Sequence, residues 1–488
     1  MRLAHQTTGA QLIGATLIAL VAGCGVEQQP VPTTNTAALT IGVGIAPGQG
    51  ELAGIPSTVR NIALEGLVSF GLDGRAQPRL AESWEASPDG LVLKIRLRGD
   101  AKFHDGEPVS AAAVRDILVR LLPDAMGPAS ADLREIQAAG NELTFVLNRR
   151  SRFLLESLDQ TLQKAGDPPL GTGPFRAVSP IKGKDEVEML ANEDYYAGKP
   201  LIDRLVIRGY PNVRSAWADL LRGQVDMLYD VGIDNLDSLR PSRQTKVFTF
   251  KRPYAYLVIL NEKRPKLRDA RIRRALNNAV DRSALIATGL QGHGTPADGP
   301  VWPFHWAYDA ELPRFRYDPQ RLSAPLRFTC IFVEPSHERI GLVLQRQLEE
   351  IGVEMTLKEM AVDEGMDRVA KEDFDAILID VGAAPTLHRA FLFWYSGSPY
   401  NYAKSSSNRV DAALDGIRRA ADDAEYRQMV GAFQQAMIDD PPAIFLAWGE
   451  RARAVSTRFS VDAEPGQDIL RTLRLWRPAA DKPLESSN

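Results

Sequence analysis

The chain has 488 residues, 44% of them hydrophobic and 25% charged, with a formal net charge of −4. That length exceeds what one hydrophobic core supports, so two or three domains are expected. A mild acidic excess argues against nucleic acid as a partner, because phosphate recognition needs basic patches.

In chain order, Leu12 to Ala22 is an apolar run of signal-peptide length, too short to span a bilayer as a stable helix. It ends in Leu20-Val21-Ala22-Gly23-Cys24, which is similar to a bacterial lipobox. Cleavage before Cys24 would free a thiol that carries the lipid anchor. Residues 1–23 are thus expected to be a lipoprotein signal peptide, and 24–38, polar with prolines and threonines, a flexible tether. Lipidation of Cys24 leaves Cys330 as the only thiol and excludes an intrachain disulfide. Cys330 lies in the apolar run Leu326–Val333, where it reads as a small buried hydrophobe.

Leu39 to Val43 is a first strand, followed by a glycine-rich loop that carries Gln49 and Glu51. Val59 to Phe70 has helical spacing. In Leu80–Val114, Pro88-Asp89-Gly90 is a turn, Leu91, Leu93, Ile95 and Leu97 alternate as a half-buried strand, and Ala81 to Ala86 is its hairpin partner. Ser110 is a good N-cap for a helix with Val114, Ile117, Leu118 and Leu121 on its apolar face. Asn141 to Leu147 is a strand and Ser151 to Lys164 an amphipathic helix. Tyr256 to Asn261 is a strand, and Asp269 and Asp281 cap helices whose several arginines read as a solvated face. From Leu326 to Val381 strands and helices alternate as β-α-β-α-β, the pattern of a mostly parallel sheet covered by helices. Two helices, near Val410–Ala421 and Ala424–Ile438, precede an apolar strand at Ala443–Trp448.

Several stretches have a wording beyond their periodicity. These are Leu80-Ala81-Glu82-Ser83-Trp84-Glu85, Lys102-Phe103-His104-Asp105-Gly106, Gly171-Thr172-Gly173-Pro174-Phe175, Asn192 to Pro200, Gly223 to Met227, Asp269 to Leu276 with Asp281-Arg282, and Gly294 to Ala297. Together they resemble the family 5 solute-binding proteins of ABC importers, the group that includes dipeptide, oligopeptide and nickel binders. The resemblance implies an α/β, periplasmic-binding-protein-like fold (class II, large cluster C type). In such a fold two lobes with mixed sheets are joined by a two-crossing hinge, beside a small β-rich subdomain. Lobe I is expected to comprise 39–75 with 170–252 and 453–480, the scaffold subdomain 76–169 and lobe II 253–452, with crossings near Phe250–Tyr256 and Trp448–Arg453. His104-Asp105 falls in a surface turn, and Gly171 to Phe175 in a structural turn rather than a phosphate loop, since it lacks the third glycine of GxGxxG and the Lys-Ser/Thr of a P-loop.

The implied function is capture of a peptide or similar polar solute in an interlobe cleft and its delivery to an ABC permease and its ATPase subunits. The protein would be a monomer, tethered at Cys24 on the periplasmic or extracellular face of the cytoplasmic membrane, with no nucleic-acid partner. The same fold serving as a periplasmic sensor or chaperone, or in sugar or opine uptake, stays open. An extracytoplasmic hydrolase ranks last, because no nucleophile is placed with a base: Ser396 is not in a GxSxG elbow. His337-Glu338 lacks the second histidine of HExxH and no CxxC occurs, so no metal, cofactor or enzyme activity is expected. Ligand contacts are expected from the aromatic residues Tyr254, Tyr256, Trp302, Phe391, Trp394, Tyr400 and Tyr402, which offer contact area at low entropic cost, and from Gln49 and Glu51. Peptide-binding relatives carry an Asp for the peptide ammonium after the strand that corresponds to Ala376–Val381. Here that stretch is Val381-Gly382-Ala383-Ala384-Pro385-Thr386, with no acid in that place, and Asp380 is near but out of register.

Overall fold

In the computed structural model, residues 37–44, 54–181, 183–232, 236 and 242–479 are described. The lipobox with Cys24, the tether up to residue 36, Gln49 and Glu51 lie outside them. The frame is an 11-stranded mixed sheet. Its path runs from Val353–Glu359 through Leu326–Phe332 and Ala376–Gly382 to two long strands, Thr245–Leu260 and Ala443–Ser456. It continues through Met227–Leu228, Ala38–Gly44, Arg204–Tyr210 and Glu186–Ala191 to Phe175–Ala177.

The alternating segment folds as its periodicity dictates. Leu326–Phe332 pairs in parallel with both Val353–Glu359 and Ala376–Gly382. The intervening helix Glu338–Glu350 buries Ile340, Leu344 and Leu348, four residues apart on one face. Cys330 is fully buried there, and burial pushes its thiol up to about 12.

Each long strand belongs to both halves of the sheet. They pair antiparallel from Thr245 opposite Ser456 to Ile259 opposite Ala443. Sequence pattern shows only their apolar parts, because Lys246, Lys251, Arg451 and Arg453 interrupt the hydrophobic runs in the other half. The register shifts between Lys251 and Ala255, so residues 252–254 face Gly449 alone.

The β-rich subdomain is a four-stranded antiparallel sheet: Ala81–Ala86, Val92–Leu97, Glu142–Leu147 and Leu133–Ala139, in that order. Leu93, Ile95 and Leu97 face its core, and the helix Ala111–Met126 begins where the Ser110 hydroxyl accepts from the Ala113 N–H.

Two expected helices are shorter than their periodicity predicts. The first runs from Gly54 to Ala63, and Val68–Phe70 is instead a strand paired with Ala76–Pro78. The cause is Glu65, a fully buried carboxylate that accepts from Arg79 at 2.9 Å, Thr172 at 3.0 Å, Tyr195 at 2.8 Å and Tyr196 at 3.1 Å. A buried charge needs such partners, and these lie off the helix axis. The second helix spans only Arg152–Glu156. Beyond it the backbone turns to pair sideways, with Leu158 O accepting from Leu67 N at 2.9 Å and Leu162 N donating to Glu65 O at 2.8 Å.

The arginines after Asp269 are not one solvated face. Arg271 is exposed and pairs with Asp269, but Arg273 and Arg282 are 1% and 6% exposed. Arg282 donates to the carbonyls of Ala297 at 2.8 Å and Phe445 at 3.0 Å, tying its helix to a strand of the sheet. A guanidinium with five donors can satisfy several backbone carbonyls at once, which periodicity does not reveal.

Gly171 and Gly173 show why their turn is glycine-rich. A Cβ on Gly171 would sit 2.2 Å from Ala63 O, and one on Gly173 2.4 Å from Ile62 O. His104 clamps this turn: its Nδ1 accepts from Gly171 N at 3.3 Å and its Nε2 donates to Gly173 O at 3.0 Å. That tautomer suits a neutral ring, and burial lowers the pKa accordingly. Replacing His104 with alanine is expected to cost about 1–3 kcal/mol of stability in urea unfolding, with ligand affinity unchanged. Lost affinity at an unchanged melting temperature would instead make His104 a ligand contact.

Candidate functional site

A cavity of about 1450 Å³ opens where the long strands pass from one half of the sheet to the other. On one side lie residues that follow the C-terminal ends of three parallel strands: Glu334 after Leu326–Phe332, Met360 after Val353–Glu359, and Pro385 after Ala376–Gly382. Open α/β sheets place ligands at such ends, where loops diverge and backbone groups are left unpaired. Gly44 and Ser57 face them from the other half, and Lys251 to Tyr254 and Arg451 to Arg453 form the floor.

The floor is built from paired charges. Arg252 donates to Asp380 at 2.8 Å and its guanidinium carbon lies 3.5 Å over the Tyr254 ring. Arg451 donates to Asp230 at 2.7 Å. Asp230 is the main reason the Arg451 pKa is raised, against the opposing effect of burial. Arg453, 5% exposed, donates through Nε to Asp468 at 2.6 Å, and its guanidinium lies 4.2 Å over the Tyr229 ring. These pairs join each long strand to neighbouring segments, and the register shift at 252–254 turns Arg252 and Tyr254 into the cavity. Such a shift re-aims side chains because it frees residues from the ladder.

Of the seven described aromatic candidates, Tyr254 alone lines this cavity. Tyr256 is 6% exposed and meets His337 edge-on, with ring centroids 5.6 Å apart. Trp302 is a core residue: its Nε1 donates to Leu72 O at 2.8 Å and its ring packs edge-on against Trp448. Phe391 and Trp394 are buried by the helix Leu387–Trp394, Phe391 against Phe153 and Tyr395, Trp394 against Phe445. Tyr400 is exposed, and Tyr402 is half-buried against the core, both away from the cavity. Large rings bury more area in a core than in a wet cleft, so aromatic clustering in sequence tracks packing first.

The residues that sequence reading passed over are charged: Asp230, Lys251, Arg252, Glu334, Arg451, Arg453 and Asp468 line the cavity, as does Asp380. Their signal was a charge set inside an apolar strand pattern, as in Ile379-Asp380-Val381, since such a charge requires a partner. Glu334, His337 and Asp380 also bring one donor atom each within 4.8 Å of one another, a grouping that HExxH spacing does not capture. Among the described residues, no helix is long and apolar enough to cross a membrane.

Comparison with known proteins accords with this architecture. The profile of "Bacterial extracellular solute-binding proteins, family 5 Middle" matches residues 75–403. The probable D,D-dipeptide-binding periplasmic protein of Escherichia coli K12 is 26% identical over 433 residues, 80% of this chain and 83% of that protein. Among solved structures, NikZ of Campylobacter jejuni, bound to Ni(L-His), superposes with a TM-score of 0.75 at 23% identity, over 90% of this chain and 99% of that one. The oligopeptide-binding AppA of Bacillus subtilis, holding a nonapeptide, gives 0.74 at 21% identity, over 91% and 99%. The matched profile covers residues 75–403, and the solved structures share the α/β fold. The chain therefore belongs to family 5 of the bacterial extracellular solute-binding proteins.

Proposed function

We propose that this chain is the solute-receiving component of an ABC import system. It captures a peptide or similar polar solute between two lobes and delivers it to a permease and its ATPase subunits. The observation that carries this reading is the charge-paired cavity at the two long strands. A cleft lined by preformed Arg–carboxylate pairs suits a polar solute, which exchanges its hydration for oriented partners. Dipeptide and oligopeptide binders among the relatives favour peptides. In this reading 39–75 with 170–252 and 453–480 form lobe I, 76–169 the scaffold and 253–452 lobe II. A monomer anchored through Cys24 holds the cleft outside the cytoplasmic membrane.

Closure serves delivery only if solute binds the closed state better than the open one. Native mass spectrometry of the full chain, purified in detergent, is expected to reveal a co-purified solute, and a peptide panel to raise the melting temperature. A chain that arrives empty and shifts with no peptide or sugar would refute the proposal.

A further inference from the structure

Away from the cleft floor, the short helix Arg152–Glu156 ends against two helices from far along the chain, Leu387–Trp394 and Asp423–Asp439. Glu156 ties the three together. Its Oε2 accepts from the His388 N–H at 2.8 Å and its Oε1 from the Tyr426 hydroxyl at 3.1 Å. His388 and Tyr426 are buried, with Phe153 packed on the first ring and His305 and Trp306 stacked on the second. Among the described residues Glu156 makes no ion pair, because the charged groups around it hold one another. Arg152 donates to Asp423 and to Ala420 O, each at 3.0 Å. Arg75 holds the other Asp423 oxygen at 2.8 Å, and Arg389 donates to Asp159 at 3.3 Å. His388 and His305 stay neutral, since burial holds their pKa values down at about 3 and about 4. Burial likewise raises the Glu156 pKa to about 7, opposed by its two hydrogen bonds and Arg152 and assisted by Asp159. The joint adjoins the solute cavity. Pro385, three residues before His388, lines that cavity, as do Phe70, Gly71 and Leu72. The two sides touch closely, for a Cβ on Gly74 would sit 2.6 Å from Pro385 O. How the helix Leu387–Trp394 seats on Glu156 therefore sets where this wall of the cavity stands.

We propose that Glu156 is a proton-operated joint, which tightens the cavity wall in mildly acidic surroundings and loosens it as they turn alkaline. The inference rests on the solute-binding reading of the cleft. In the protonated joint Oε2 still accepts from the His388 N–H, while the proton on Oε1 is donated to the Tyr426 hydroxyl, which turns to accept it. In the ionised joint the carboxylate keeps two donors but has no cation of its own, and a charge withdrawn from water is costly until it is paired. The sign follows from the raised value. With the docked pKa above the ordinary 4.5, the contribution of the joint is full below about 4.5 and is lost as pH rises through about 7. Solute should accordingly bind more tightly at pH 6 than at pH 8.

The test uses the full chain in detergent and a casein hydrolysate at pH 6 and pH 8. Peptides retained through gel filtration are followed by mass spectrometry over a dilution series of the pool. One proton bound with a pKa near 7 in the docked state allows a loss of affinity of up to about tenfold between these pH values. Glu156→Gln keeps an acceptor for the His388 N–H and a donor for Tyr426 but does not titrate. Amines of the peptides titrate alike for every variant, so the measure is the ratio of affinities at the two pH values. That ratio should be about three- to tenfold smaller in Glu156→Gln than in the wild type, while Glu85→Gln, at an exposed scaffold carboxylate, keeps the wild-type ratio. Without peptide, amide exchange over Leu387–Phe391, corrected for its intrinsic rate, should be slower at pH 6 than at pH 8 in the wild type and alike in Glu156→Gln. Equal affinity ratios in the wild type and Glu156→Gln overturn the joint but leave solute binding intact. Retention of nothing at either pH overturns the solute reading instead, and the exchange comparison then decides whether the joint itself stands. Should Glu156→Gln fail to fold, exchange in the wild type that is unchanged between the two pH values overturns the joint.

Discussion

Trp302→Ala is expected to lower folding stability by about 3–5 kcal/mol, the usual cost of emptying a buried aromatic site. The ring is 2% exposed and packs against both Trp448 and Phe304, with centroids 4.9 and 5.0 Å away. Its Nε1–H also satisfies Leu72 O at 2.8 Å, so truncation leaves an unpaired carbonyl as well as a cavity. The affinity of the folded fraction for solute should not change, because the residue does not line the cleft. Urea unfolding alongside a binding titration separates the two effects. A cost below about 1 kcal/mol, or lost affinity in a fully folded variant, would return Trp302 to the ligand site.

A comparable cost of about 3–5 kcal/mol is expected for Arg273→Met, in line with breaking a buried ion pair from one side. Arg273 donates to Pro441 O at 2.8 Å, Leu267 O at 2.7 Å and Arg268 O at 2.6 Å, and it pairs with Asp440. Its guanidinium also lies 3.5 Å from Glu262, whose pKa burial raises to about 7 in partial opposition to Arg273. That shift sets a pH signature. With the folded pKa above the ordinary 4.5, the stability due to Glu262 is full at low pH and is lost as pH rises through about 7. Without Arg273 the folded pKa rises further, so the deficit of the variant should be larger at pH 8 than at pH 6. Equal deficits at the two values would show that the carbonyl contacts, not the carboxylate, account for the loss.

Legibility in the sequence followed the range of the interactions. Elements set by local periodicity, such as Leu326–Phe332, Glu338–Glu350 and the capped helix after Ser110, could be read because one apolar face suffices to define them. The family was legible too, since turns such as Gly171–Phe175 are constrained by close backbone approach and leave little freedom in residue type. The cleft was not. Its pairs, Arg252 with Asp380 and Arg451 with Asp230, are separated by 128 and 221 positions. Only tertiary folding tells such a charge from a solvated one. The same holds for Glu65, whose four partners turned an expected helix into a strand, and for Arg273 and Arg282, which sequence places on a wet face.

The three residues opposite Gly449 have a consequence for diversification. Arg252 and Pro253 make no rung with the strand Ala443–Ser456, and Tyr254 is held from its other side by Gly382. Side-chain exchange at Arg252 and Tyr254 therefore leaves the backbone ladder between the two halves intact while it rewrites what the cavity presents. A family whose members keep one frame and differ in cargo needs such positions, where selectivity can drift without a matching loss of fold. Libraries confined to 252 and 254, with Asp380 varied as the partner of Arg252, are the economical place to redirect this receptor to another solute.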